Sequence, residues 1–330
     1  MTKFATFRAP SGAPRIGIVH DAGIFDLAAA AERAGVAKYA FASMIALMDA
    51  GEAGLDQARR LFEDHRGSED LSSTLDAVEL LAPVPEPRQM RDGMSFPLHI
   101  RQSPRGMRKL AAHGDAAALQ AIEAEPLAPL AEVYRQIPIY YFTNHLIVGG
   151  PGSTVRWPRY STVMDYELEF GIFVGKSGSN LSAARAREHI FGFTIFNDFS
   201  ARDQQMKEMP GWLGPSKGKS FDGGNVIGPW IVTPDELGDP YALAMEARVN
   251  SEVWSRATSA GMLFSFEEML AHMSQDETIQ AGEFIGSGTA ENGCGLEHGR
   301  FLQHGDEIEL EVERIGILRN TVERQDRSPT

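Results

Sequence analysis

The sequence predicts an α+β fold, rich in strand, with a small N-terminal α/β domain over residues 1–82 and a larger domain over residues 83–330. Three observations predict it. From residue 137 onward, short apolar segments alternate with turns such as Gly149-Gly150-Pro151-Gly152, Gly214-Pro215 and Gly223-Gly224, which is the rhythm of short strands. Residues 306–315 alternate, with Ile308, Leu310 and Val312 on one side and Glu307, Glu309 and Glu311 on the other, the period of a half-buried strand. Pro83-Val84-Pro85-Glu86-Pro87 forms a stiff connector, because each proline fixes φ and lacks a donor, and the domain boundary is drawn there.

The elements follow in order. Residues 4–8 and 15–19 read as strands, with a turn at Asp21-Ala22-Gly23, and residues 27–34, 41–49 and 55–63 read as helices. Beyond the connector, residues 104–134 look helical, interrupted by Pro126 and Pro129, and residues 182–189 form a short helix. The insertion at 104–136 is either a mobile cover over a pocket or an ordinary packed insertion.

Composition narrows the function classes. Of 330 residues, 23% are charged and 43% hydrophobic, as in ordinary soluble domains, and the net charge of −14 argues against nucleic-acid binding. Cys294 is the sole cysteine, so no intrachain disulfide can form, which fits a cytoplasmic protein. Residues 1–9 show no signal-peptide pattern, and no apolar run approaches the roughly 20 residues of a membrane helix.

Residues 165–171, DYELEFG, carry the first chemical signal. As a strand they place Asp165, Glu167 and Glu169 on one face and Tyr166, Leu168 and Phe170 on the other. Such a face is either a solvated edge or a hard-cation site, since close carboxylates repel and a bound cation relieves the repulsion. Residues 192–205, GFTIFNDFSARDQQ, run from an apolar strand into a dense polar cluster, and Lys217-Gly218-Lys219-Ser220-Phe221-Asp222 follows. Three such segments are hard to explain as unrelated turns.

Taken with KGKSFDGGNVIGPWIVTPDEL (217–237), ARVNSEVWSR (247–256), GSGTAENGCGLE (286–297) and LEVERIGILRN (310–320), the pattern over residues 85–320 resembles the fumarylacetoacetate hydrolase family. The resemblance implies a β-sandwich or roll for the larger, catalytic domain. It implies a divalent cation, Mg²⁺ with Mn²⁺ or Ca²⁺ as substitutes, held by Glu167, Glu169 and Asp198. RDGMSFPLHIRQ (91–102) adds Asp92 as a fourth ligand and His99, seven residues later, as a catalytic base, with Glu297 as its partner. Arg202, Gln205 and Lys219 match oxyanion-binding positions, and Tyr141 and Thr289 match positions lining the substrate pocket. Phe199 replaces the usual Trp, Gly93 the usual aromatic, and Met209 a substrate-contacting Tyr, so the departures bear on the substrate more than on the reaction.

Other motifs fail on context. Gly214-Pro215-Ser216-Lys217-Gly218 spells a nucleophile elbow but lacks a preceding apolar strand and a following helix. Gly218-Lys219-Ser220 would need a glycine where Leu213 stands to form a phosphate loop. Cys294 reads as small core packing.

The resemblance implies hydrolysis of a carbon–carbon bond in a small 2,4-diketo acid. Decarboxylation of oxaloacetate, keto-acid tautomerisation or isomerisation, and non-catalytic binding are the competing readings. Because every motif lies after Pro87, the N-terminal unit is expected to be dispensable for the chemistry. The resemblance also implies a homodimer, the commonest symmetric assembly, with no nucleic-acid or membrane partner. Sedimentation at micromolar concentration is expected to show a dimer, and a persistent monomer contradicts that expectation.

Overall fold

A computed structural model describes residues 2–10, 12–21 and 23–325. The architecture is α+β and β-rich, and two sheets pack face to face. The larger sheet orders its strands as Ser72–Thr74, Gly23–Asp26, Arg15–His20, Lys3–Arg8, Asn225–Val232, Ile190–Asp198, Leu168–Val174, Phe284–Gly286, Met90–Gly93 and Tyr140–Thr143. The smaller runs Glu252–Thr258, Ala244–Val249, Glu307–Val312, Gly316–Arg324 and Thr154–Trp157.

The alternating patterns explain the packing. Leu168, Phe170 and Ile172 point from the larger sheet into a core shared with Ile308, Leu310 and Val312 of the smaller one. Glu309 and Glu311, on the far side of that strand, pair with Arg248 at 3.0 and 2.7 Å, and Glu309 also pairs with Arg319. A second core lies on the opposite face of the larger sheet, where Phe173, Phe196 and Phe284 meet Phe4, Phe25, Leu47 and Leu61.

The sheet runs across the proline connector. Lys3 and Phe4 register with Val232 and Ile231, and Phe4 stacks obliquely on Phe191. The N-terminal strands therefore extend the sheet that carries the acidic motifs, and helices Leu27–Arg33, Met44–Asp49 and Gly51–His65 cover one face of it. A short strand, Gly23–Asp26, was not anticipated, and the turn expected at Asp21-Ala22-Gly23 includes Ala22, which lies outside the described residues.

The insertion is a packed helical one. Helix Pro97–Ala111 starts earlier than the sequence suggested and contains Pro104. It meets Leu296 at Gly106, where a Cβ would lie 2.5 Å from the Leu296 carbonyl oxygen. Helix Ala116–Ala124 returns beside it, and Arg108 grips Glu125 at 2.6 and 2.8 Å.

A shared sheet implies shared unfolding. Phe4→Ala, at a fully buried position, is expected to destabilise by about 3–5 kcal/mol, read as a lower midpoint of a single urea transition. Two separate transitions, with only the first shifted, would show that the N-terminal unit folds alone.

Candidate active site and metal centre

Long-range pairing gathers the acidic residues. Asp198 ends the strand Ile190–Asp198, and Glu169 sits opposite Phe196 on the neighbouring strand. Asp92 lies in Met90–Gly93, which runs parallel to Phe284–Gly286 with Asp92 beside Gly286. A Cβ on Gly286 would sit 2.3 Å from Asp92 Oδ1, so only glycine leaves that carboxylate its place. Gly288, at φ +78°, donates its N–H to the same oxygen at 3.2 Å. Gly93 has a comparable reason: a Cβ there would lie 2.6 Å from Met269 Cε.

The acidic face is not a solvated edge, for Asp92, Asp165, Glu167, Glu169 and Asp198 are all buried. They separate into two groups. Carboxylate oxygens of Asp92, Glu169 and Asp198 lie within 4.8 Å of one another. Glu167 is instead engaged by cations, with Lys219 Nζ at 2.5 Å and Arg202 Nη2 at 2.8 Å, and Lys219 reaches on to Asp198 at 2.7 Å. Asp165 turns away to pair with Arg202, because the strand breaks between Met164–Asp165 and Leu168–Val174.

Electrostatics follow this division. Burial would raise Glu167, but Lys219 and Arg202 outweigh it and hold the carboxyl at about 2. Burial, then the charge of Asp198, pushes Asp92 up to about 8. Burial and the neighbouring carboxylates likewise push Glu169 well up, and burial raises Asp198 against the pull of Lys219. Glu169 Oε2 and Asp198 Oδ1 are buried without a hydrogen-bond partner. Buried orphan oxygens among crowded carboxylates are what a hard divalent cation satisfies, so the donor set fits one.

The other anticipated residues are close by. Tyr141 donates its hydroxyl to Asp198 Oδ2 at 2.6 Å, and burial beside Asp198 and Asp92 keeps that phenol protonated. Thr289 Oγ1 donates to Glu169 Oε1 at 3.2 Å. Gln205 Oε1 accepts from Arg202 Nη1 at 2.9 Å. His99, buried on helix Pro97–Ala111, places Nδ1 3.2 Å from Glu297 Oε1. Glu297 Oε2 accepts the Cys294 backbone N–H at 3.2 Å, and burial and Glu297 keep the Cys294 thiol protonated 3.5 Å away. Met209, by contrast, is exposed. Ser216 lies in a turn, and its N–H is held by Glu208 at 2.8 Å. Two surface concavities, of about 390 and 570 Å³, lie elsewhere, lined around Trp254 and around Leu80.

Sequence reasoning gave no role to Asn197, whose Oδ1 accepts the Glu167 N–H at 3.0 Å and so fixes the backbone beside the cluster. Its place before Asp198 was the available signal. Arg91 was also missed; it is buried beside Asp92, paired with Glu283 and Glu277, and stacked over Phe142.

The chain belongs to the fumarylacetoacetate hydrolase family: the family's fumarylacetoacetate (FAA) hydrolase C-terminal profile matches residues 110–323. It is similar to oxaloacetate tautomerase YisK of Bacillus subtilis, 29% identical over 92% of this chain and 94% of that one. It is 36% identical to the human mitochondrial oxaloacetate tautomerase FAHD2A over 56% of this chain and 59% of that one. A fumarylacetoacetate hydrolase from Exiguobacterium antarcticum superposes with a TM-score of 0.70 at 26% identity, covering 98% of this chain and all of that one. Maleylpyruvate hydrolase from Sphingobium sp. SYK-6, solved with manganese(II) and pyruvate, shares the fold with a TM-score of 0.69 at 21% identity, over 98% of this chain and 100% of that one. The protein is thus an enzyme of this superfamily, and the proteins it resembles in sequence include tautomerases and a fumarylacetoacetate hydrolase. Among the described residues no helix is long and apolar enough to cross a membrane.

The raised carboxyl has a pH consequence. A native pKa of about 8 means Asp92 holds its proton more tightly folded than unfolded, so metal-free stability declines as pH rises towards 8. A cation must displace that proton. Apparent Mg²⁺ affinity is expected to climb by about tenfold or more per pH unit between about pH 6 and 8, measured by calorimetric titration. Affinity that is flat between about pH 6 and 8 contradicts this ligand set.

Proposed function

We propose that the protein is a metal-dependent hydrolase cleaving a carbon–carbon bond in a small 2,4-diketo acid of the acylpyruvate or fumarylacetoacetate type. The observation that carries the reading is the His99–Glu297 pair, at 3.2 Å with both side chains buried, Glu297 standing on the turn whose Cys294 bridges to Glu167 of the acidic segment. Asp92, Glu169 and Asp198, with Glu167 alongside, would hold Mg²⁺, for which Mn²⁺ or Ca²⁺ would substitute. Bound there, the cation would polarise a keto oxygen and stabilise enolate charge.

The chain's own residues supply the rest. Glu297 accepts from Nδ1 and so fixes the tautomer in which His99 Nε2 is the free base. His99 takes a proton from water, whose oxygen adds to the distal carbonyl. Lys219 and Arg202 remain cationic, since the surrounding carboxylates outweigh burial, and Gln205 steadies Arg202 as they stabilise the oxyanion. The carbon–carbon bond then breaks, its electron pair leaves on the enolate carbon, and His99 returns the proton there. The products are a carboxylic acid and a smaller keto acid. Tyr141 and Thr289, which would line the substrate pocket, also orient Asp198 and Glu169.

Similarity to a full-length oxaloacetate tautomerase favours a second reading, in which the same base shuttles a proton between keto and enol forms without water attack. Labelled solvent oxygen separates the two. Native enzyme with an acylpyruvate is expected to place the label in the released acid, and His99→Ala to lower that rate by about 10²–10⁴-fold, with cation affinity retained. Enol–keto exchange of oxaloacetate without label incorporation into any acylpyruvate product would establish the second reading, and carbon dioxide release a decarboxylase.

A further inference from the structure

Asp165 is the carboxylate of the acidic segment that the chemistry above leaves without a task. It is fully buried. Its Oδ2 accepts from Arg202 Nε at 2.8 Å and from the Leu296 N–H at 2.9 Å, and lies 2.8 Å from Arg202 Nη2. Its Oδ1 accepts the N–H groups of Gly295 at 2.8 Å and Tyr166 at 2.9 Å. Both oxygens are thus saturated by charge-assisted donors, the strongest hydrogen bonds available to a carboxylate.

Those donors come from two elements that the proposed reaction uses separately. Arg202 opens the helix Arg202–Glu208, while Gly295 and Leu296 open the helical turn Gly295–His298 that carries Glu297. Gly295 is required by the contact: a Cβ there would lie 2.5 Å from Asp165 Oδ1 and 1.9 Å from the Arg300 carbonyl oxygen. The Asp165 backbone is itself fixed by pairing with Ser200. One side chain therefore ties the guanidinium to the turn that aims Glu297 at His99.

We propose that Asp165 is a positioning residue that couples the Arg202 oxyanion donor to the His99–Glu297 base, setting both at once while touching neither substrate nor cation. The proposal rests on the reading of His99 and Arg202 given above. A role in stability alone would weaken folding and cation binding together, whereas coupling leaves the cation site intact and disturbs the base.

The test uses Asp165→Asn in the full chain, with Mn²⁺ for the affinity titration and diamagnetic Mg²⁺ for the His99 spectra. Mn²⁺ affinity is expected to stay at the native value while the ring nitrogen and proton resonances of His99 move, because the turn bearing Glu297 loses its anchor. Acylpyruvate turnover is expected to fall by about 10²-fold, mainly in kcat. Combined with Glu297→Gln, the loss is expected to stay within about tenfold of Glu297→Gln alone, since groups acting as a unit are not additive. If Asp165→Asn does not fold, Arg202→Lys gives the same reading: it breaks the fork to Asp165, and the His99 resonances must still move. Unchanged His99 resonances in the folded variant, losses that multiply in full, or Mn²⁺ affinity falling in step with turnover would overturn the proposal. Should the native enzyme turn over none of the keto acids tried, the functional reading fails, and the His99 spectrum with the Mn²⁺ titration still decides the role of Asp165.

Discussion

Five carboxylates share one buried volume with two fixed cations, and the rest of the site is arranged around that imbalance. Charges removed from water are tolerated only when paired, hydrogen-bonded or neutralised by protonation. Arg202 and Lys219 answer for Asp165 and Glu167. Asp92, Glu169 and Asp198 share only part of one lysine, so in the absence of a cation burial drives them towards the protonated form. A divalent ion supplies the missing charge and occupies the oxygens that nothing else satisfies.

The fold makes this crowding affordable by rigidity. Asp92, Glu169 and Asp198 project from strands of one continuous sheet, with an apolar core on each of its faces. Their side chains cannot drift apart without breaking strand pairing. Glycines at 286, 288 and 295 let backbone and carboxylates approach more closely than a Cβ would permit. The same loop then delivers Thr289 to Glu169 and Glu297 to His99, so the groups that hold charge and the group that moves a proton stand on one support.

Much of this was legible in the sequence. The alternation of 165–171 identified which residues face the core, and the motif resemblance brought Asp92, His99, Asp198 and Glu297 together from segments far apart. What pattern reasoning missed was decided by tertiary contacts. It could not foresee that Lys219 would reach Glu167 and that Asp165 would turn to Arg202, because the strand breaks at Tyr166. The helix of His99 was not anticipated before residue 104; it starts at Pro97, and proline is well suited to a first helical turn. The expectation of a dispensable N-terminal unit rested on where the motifs lie, and it could not register that Lys3 and Phe4 pair with Val232 and Ile231.

The central claim, a divalent cation held where the uncompensated carboxylates meet, is tested most directly by locating the metal. Crystals grown with Mn²⁺ and measured at the manganese absorption edge are predicted to show one strong anomalous peak per chain, bounded by Asp92, Glu169 and Asp198, with Lys219 still paired to Glu167. A peak elsewhere, or none at saturating Mn²⁺ while those three carboxylates stay buried together, would contradict it.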